Sequence, residues 1–179
     1  MTVFKTERLV VRRLVEADAG FMRELVNEPA WIRGIGDRRV HTLEDARAYI
    51  RRLVLDGSRY PGFGYHLVER QADGVPLGIC GLLKREALED ADVGYAFLSR
   101  HGGQGYAREA AAGMLAYGRE VLGLARIVAV TNPDNLRSIR LLEQLGMAVE
   151  RTIRWPGESE DLLLFAPVSK GPGEPAGGV

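Results

Sequence analysis

Along the chain, short apolar runs alternate with segments whose apolar positions recur every three or four residues, the periods of strands and helices. Arg8 to Leu14 (RLVVRRL) is β-branched and apolar and predicts a first strand. In Asp18 to Val26, Phe21, Met22, Leu25 and Val26 fall at helical spacing. Asn27 to Arg39 (NEPAWIRGIGDRR), interrupted by Pro29, Gly34 and Gly36, reads as a loop. Thr42-Leu-Glu-Asp45 has the form of a capping box with Asp in place of Glu. Leu43, Ala46, Ile50, Leu53 and Val54 then mark one face of a second helix, which Gly57 is expected to end.

Tyr65 to Glu69 leads into Ala72-Asp-Gly74, a hairpin signal, and Val75 to Leu83 (VPLGICGLL) returns as a mostly apolar strand. Asp92 to Leu98 (DVGYAFL) is another strand and runs straight into a glycine-rich stretch. From Ala107 to Leu122, apolar or small residues at 107, 110, 111, 114, 115, 118, 121 and 122 form a helical stripe. Arg126 to Thr131 (RIVAVT) is the unbroken apolar run of a strand buried beside parallel neighbours. Asn132-Pro-Asp-Asn135 opens a last helix lined by Ile139, Leu142 and Leu145, and Val149 to Ile153 and Asp161 to Phe165 finish as strands. The order β-α-α-β-β-β-α-β-α-β-β predicts one mixed α/β domain of about seven strands over residues 1–168. Residues 169–179 (SKGPGEPAGGV) lack any apolar period and are expected to be a disordered tail.

Charge removes some functions from consideration. The chain has 24 basic and 24 acidic residues, so a broad electrostatic face for nucleic acid is not expected. Cys80 is the only cysteine, which excludes an internal disulfide framework and a multi-cysteine zinc site, and the three histidines show no metal-ligand spacing. The first residues, MTVFKTERLVVRRL, carry charge throughout and have no signal-peptide core, and no apolar run reaches bilayer length. The expectation is a soluble, cytoplasmic protein with no membrane partner, a monomer or homodimer.

The chemistry is concentrated in Ser99-Arg-His-Gly-Gly-Gln-Gly-Tyr-Ala-Arg108. A helix start leaves four N–H groups unpaired and carries partial positive charge, and glycines remove the side chains that would hold a phosphate away. Strand, glycine turn and amphipathic helix together form a diphosphate cradle, flanked by Arg100 and Arg108 as candidate phosphate partners. The alternative is a tight strand-to-helix turn with no ligand. A P-loop needs Lys and Ser or Thr after its last glycine, but Tyr106 and Ala107 stand there, and Gly102, Gly103 and Gly105 lack the dinucleotide spacing.

Arg100-x-x-Gly103-x-Gly105-Tyr-Ala107 resembles the R/Q-x-x-G-x-G/A pattern of the GNAT acyltransferase superfamily. Asn132-Pro-Asp-Asn135-Leu-Arg-Ser138 and Leu142-Glu-Gln-Leu-Gly146-Met147 resemble that family's second motif. Thr6-Glu-Arg-Leu9-Val-Val-Arg12, Asp92-Val-Gly-Tyr95 and Gly105-Tyr-Ala-Arg-Glu-Ala110 look like its Rim-type branch, the ribosomal-protein N-terminal acetyltransferases. The resemblance covers residues 5 to 168. It implies a mostly antiparallel central sheet with helices on both faces and a V-shaped splay between two parallel strands, where acetyl-CoA lies as co-substrate.

By that resemblance, the backbone of Phe97 and Leu98 pairs with the pantetheine arm. The N–H groups of His101, Gly102, Gly103, Gln104, Gly105, Tyr106, Ala107 and Arg108 hold the pyrophosphate, and the Leu98 N–H polarises the thioester carbonyl. Asn135 fixes the pantetheine or substrate side, or simply caps its helix. Many members carry a tyrosine acid where this chain has Leu142; in the Rim-type branch a serine at the position of Ser138 takes the role, directly or through water, and the alternative is a small residue tolerated near the sulfur. Arg137 and Arg140 are candidates for the 3′-phosphate, or solvated residues.

The reaction needs a neutral amine. An α-amino group, pKa about 8, is partly neutral at pH 7, whereas a lysine near about 10.4 is not, so a peptide N-terminus asks less of a base. Asp92 and Glu86 are the candidate bases, with water as relay. Trp31, in the loop 27–40, and Trp155, in the 154–160 turn, are candidate acceptor-pocket residues or ordinary packing aromatics. These features give an expected N-acetyltransferase acting on an amine acceptor, a peptide N-terminus or a small molecule such as an antibiotic or polyamine. The rival is an acyl-CoA sensor without turnover.

Overall fold

In a computed structural model, which describes residues 1–168, eight strands form one sheet in the order β1-β2-β3-β4-β5-β6-β8-β7. The strands are β1 (Thr2–Lys5), β2 (Leu9–Arg13), β3 (Gly64–Arg70), β4 (Pro76–Leu83), β5 (Ala91–Phe97), β6 (Ile127–Thr131), β7 (Met147–Ile153) and β8 (Leu162–Pro167). The helices are α1 (Ala19–Val26), α2 (Pro29–Ile35), α3 (Leu43–Ser58), α4 (Tyr106–Glu120) and α5 (Leu136–Gln144). Every neighbouring pair of strands is antiparallel except β5 with β6. The expected tail, 169–179, lies outside the described residues.

Alternation along the strands divides the core in two. Leu9, Val11, Val68, Cys80, Leu82 and Val93 pack on one face with Ala110, Met114 and Leu115 of α4 and Leu142 of α5. Leu67, Ile79 and Leu98 pack on the other with Met22, Leu25 and Val26 of α1, Trp31 of α2 and Ala46, Tyr49 and Ile50 of α3. Burial pushes the Cys80 thiol up to about 12, so it stays protonated inside the core.

Two elements were not expected. β1 is only four residues long, too short to show a period, and its Phe4 stacks on Tyr117 of α4 at 6.0 Å between ring centroids. The stretch expected to be a loop contains α2, because Pro29 occupies the first turn, where a missing N–H costs nothing, and Trp31 is buried. Thr42 and Asp45 form the expected capping box, with reciprocal bonds of 3.1 and 2.8 Å. Gly57, expected to end α3, lies inside it instead. A Cβ there would stand 2.9 Å from backbone atoms of Phe63 and Gly64, so this glycine lets helix and strand touch. Among the described residues no helix is long and apolar enough to cross a membrane, and no cluster of His, Cys, Asp and Glu is arranged to hold a metal.

Candidate active site

The parallel pair is nearly open. β5 and β6 pair only at Ala91–Ile127 and Asp92–Val128, yet β5 continues to Phe97 and β6 to Thr131. Each strand keeps its outer partner over that length, β5 with β4 and β6 with β8. The result is a V that closes at residue 92 and widens toward the glycine turn. Leu98 donates its N–H to Leu77 O at 3.0 Å, in the register that pairs Ala96 with Ile79 and Gly94 with Gly81. Antiparallel bonding alternates, so Val93, Tyr95 and Phe97 turn their backbone groups away from β4 into the gap. This corrects the expectation at Leu98: its amide is already used, whereas Phe97 keeps the orientation the resemblance implies.

The glycine turn follows as a short 3₁₀ segment, Ser99–His101, and then the start of α4. The N–H groups of His101 and Gly102 are satisfied within the turn, by Leu98 O and Ser99 O at 3.0 Å each, which removes these two from the expected phosphate set. Those of Gly103, Gln104, Gly105, Tyr106, Ala107 and Arg108 meet no acceptor among the described residues. Gly103 and Gly105 have φ of +75° and +79°, which only glycine adopts without strain, and no atom lies within 4 Å of where a Cβ of residue 103 would be. α4 begins on Gly105 with no side-chain cap, so its first-turn donors point outward unpaired.

The turn is held from behind by residues to which the resemblance assigns no role. Glu109 accepts from Thr6 Oγ1 (2.6 Å), the Arg8 N–H (2.9 Å) and Arg8 Nε (2.6 Å), while Arg8 Nη1 donates to Gln104 O (3.0 Å). The Arg8 guanidinium also lies 4.7 Å from the centroid of the Tyr106 ring, which is itself buried in the core. Burial works to raise the Glu109 carboxyl, but the Thr6 and Arg8 hydrogen bonds outweigh it and keep it below the usual range. The signal was present in Thr6-Glu-Arg-Leu9, which resemblance flagged without giving it a job.

Helix α2 bridges the mouth of the V. Glu28, preceding α2, takes the Ser99 N–H at 3.1 Å and also bonds the Ser99 hydroxyl, at the end of β5. Gly34 O, within α2, accepts from Asn132 Nδ2 at 3.1 Å, at the end of β6. Arg100, expected to reach a phosphate, is instead paired with Glu24 of α1. Arg108, Arg137 and Arg140 are exposed.

Ser138 and Asn135 come together at the start of α5. Asn135 Oδ1 accepts the Ser138 N–H at 3.1 Å, a helix cap. Ser138 Oγ lies 2.9 Å from the Tyr95 hydroxyl of β5, a contact the sequence did not announce. Burial pushes the Tyr95 phenol up to about 12. Leu142 is buried in the core one turn on.

Of the two candidate bases, Asp92 stands on the last closed rung of the V and Glu86 in the turn that precedes β5. Asp92 is buried and accepts Arg85 Nε at 3.0 and 3.2 Å. Burial raises its carboxyl above the ordinary range, with Arg85 opposing. The Arg85 guanidinium in turn lies 5.2 Å from the centroid of the Trp155 ring, so Asp92, Arg85 and Trp155 form one cluster. Glu86 is exposed in the turn between β4 and β5. Trp31 is buried among the α1–α3 core, with its indole N–H unpartnered among the described residues.

With this geometry in view, comparison with known proteins is informative. The acetyltransferase (GNAT) domain family matches residues 8–148. The chain belongs to the GNAT acetyltransferase family. An uncharacterized protein of Bacillus subtilis, YkkB, is 30% identical over 159 residues, 86% of this chain and 89% of its own. The crystal structure of a GNAT-family acetyltransferase from Bacillus anthracis is 26% identical, with a TM-score of 0.77, and covers 93% of this chain and 97% of its own. RimL, the ribosomal L7/L12 α-N-protein acetyltransferase solved in complex with CoA, is 18% identical and shares the fold at a TM-score of 0.78, over 94% and 98% of the two chains.

Proposed function

We propose that this protein is an N-acetyltransferase that moves an acetyl group from acetyl-CoA to a primary amine by direct attack in a ternary complex. One observation carries the reading: six successive bare amides, Gly103 to Arg108, beside a sheet that has parted along β5 and β6. Unpaired backbone donors are costly without a partner, and a diphosphate is the partner a helix start suits best. The open backbone of Tyr95 and Phe97 then faces an amide-bearing arm lying in the gap. In the bound state acetyl-CoA supplies an activated acyl group on a thiol leaving group.

We read the acceptor as a protein N-terminal α-amine, reached in the cytoplasm. The Rim-type residues at 6–12, 92–95 and 105–110 support this, as does the fold shared with RimL, whose own substrate is ribosomal L7/L12. The chemistry supports it too. Asp92 is tied to Arg85 and Glu86 is exposed, so no carboxylate is set up as a strong base, and an α-amine needs the weakest one. On this reading Asn135 and Ser138 line the thiol end of the gap and Trp155 belongs to the acceptor face, while Trp31 is a packing residue of the α1–α3 core.

The test is acetyl-CoA binding by calorimetry, together with CoA thiol release against N-terminal peptides, polyamines and aminoglycosides. Gly105→Glu places a carboxylate among the amides, so binding is expected to fall by more than 100-fold, a loss of about 3 kcal/mol. Unchanged binding in a folded Gly105→Glu protein refutes the cradle. Turnover of polyamines or aminoglycosides alone moves the acceptor to the small-molecule class.

A further inference from the structure

A single side-chain hydrogen bond among the described residues joins strand β5 itself to α5: Tyr95 hydroxyl to Ser138 Oγ. Its place follows from the strand register. Tyr95 turns its backbone into the gap, and its ring lies on the face that carries α4 and α5, against the core there. Ser138 belongs to the helix that follows β6. The bond therefore ties one arm of the V to the helix that follows the other arm. It lies three residues above the last closed rung, Asp92–Val128, about 10 Å along the strand.

A donor held by its diphosphate on residues 103–108 would lay its thioester between the glycine turn and that rung, where the two hydroxyls would stand beside the departing sulfur. One turn along α5, at the position where the resemblance places an acid in many members, stands Leu142, which is buried and has no proton to give. We propose that the Tyr95 hydroxyl, oriented by Ser138, protonates the leaving sulfur. This rests on the transferase reading above.

The step balances. The amine nitrogen forms its bond to the acyl carbon as the C–S bond breaks and its electron pair passes to sulfur. Tyr95 Oη gives its proton to that sulfur, and the proton lost by the amine returns through water to the phenolate. Ser138 is a positioning residue: it accepts from or donates to the phenol and fixes its rotamer. The high phenol pKa keeps Tyr95 protonated across the neutral range, so the acid is always loaded.

The experiment compares wild type, Tyr95→Phe and Ser138→Ala in three measurements: kcat, CoA affinity, and the ultraviolet absorbance of the bound CoA thiolate against pH. Tyr95→Phe is expected to lose about 100-fold in kcat and to keep its affinity for acetyl-CoA within a few-fold. Bound CoA should ionise at higher pH in Tyr95→Phe, by about one pH unit, because the phenol no longer donates to the thiolate. Ser138→Ala should show a smaller loss in kcat and a smaller shift of the thiolate titration. A Tyr95→Phe protein with wild-type kcat and an unmoved thiolate titration overturns this assignment and leaves the transferase reading standing. A wild-type protein that binds acetyl-CoA but releases no thiol with any amine overturns both.

Discussion

His66 is a titratable side chain buried within the sheet. It is 6% exposed on β3, its Nδ1 has no partner among the described residues, and burial, helped by the charge of Arg13, lowers its pKa from 6.5 to about 4. The folded state thus refuses a proton that the unfolded chain accepts. Stability from this group is fully present above pH 6.5 and is lost as pH falls from 6.5 to about 4, by up to about 3 kcal/mol. Urea titrations of wild type and His66→Gln over that window should show a markedly shallower decline in the variant. Parallel pH profiles would mean the imidazole is charged in the fold. Single residues were the least legible level of the sequence. Gly103 and Gly105 could be placed because positive φ is written into glycine itself. Arg100 could not, because its partner Glu24 lies 76 positions away, and nothing local distinguishes a phosphate-seeking arginine from one already paired.

At the level of elements, helices with a full apolar stripe and strands with turn residues at both ends were legible, since each carries its own period. β1 and α2 were not: one is a four-residue edge that pairs only with β2, the other a seven-residue helix that depends on burying Trp31. The same limit hid the tie between the β1–β2 turn and α4. Glu109 collects three bonds from Thr6 and Arg8, and the Arg8 fork also holds Gln104 O, so the turn's geometry depends on a contact over 101 positions. Glu109→Ala should therefore loosen the glycine turn more than the fold. The expected result is a tenfold or greater weakening of acetyl-CoA binding with a change in unfolding free energy of about 1–2 kcal/mol. Calorimetry beside chemical denaturation separates the two, and unaltered affinity would show the turn is rigid without its anchor.

Across the whole molecule, the sheet is two blocks, β1 to β5 and β6 with β8 and β7, joined by two parallel rungs, the Tyr95–Ser138 bond and the span of α2 from Ser99 to Asn132. The V could be expected from resemblance but not from periodicity, because a strand that loses one neighbour keeps its apolar pattern. On the proposed reading, a sheet left open this way would be finished by the acetyl donor, its amide-bearing arm lying as a ninth strand over Tyr95 and Phe97. Two readouts follow. Saturating CoA, at about 100 times its Kd, should raise unfolding free energy by about 2.7 kcal/mol. Deuterium uptake should slow at residues 95, 97 and 103–108 while the β2–β3–β4 block keeps its rate, making the empty enzyme soft along a single seam and the loaded one uniformly hard.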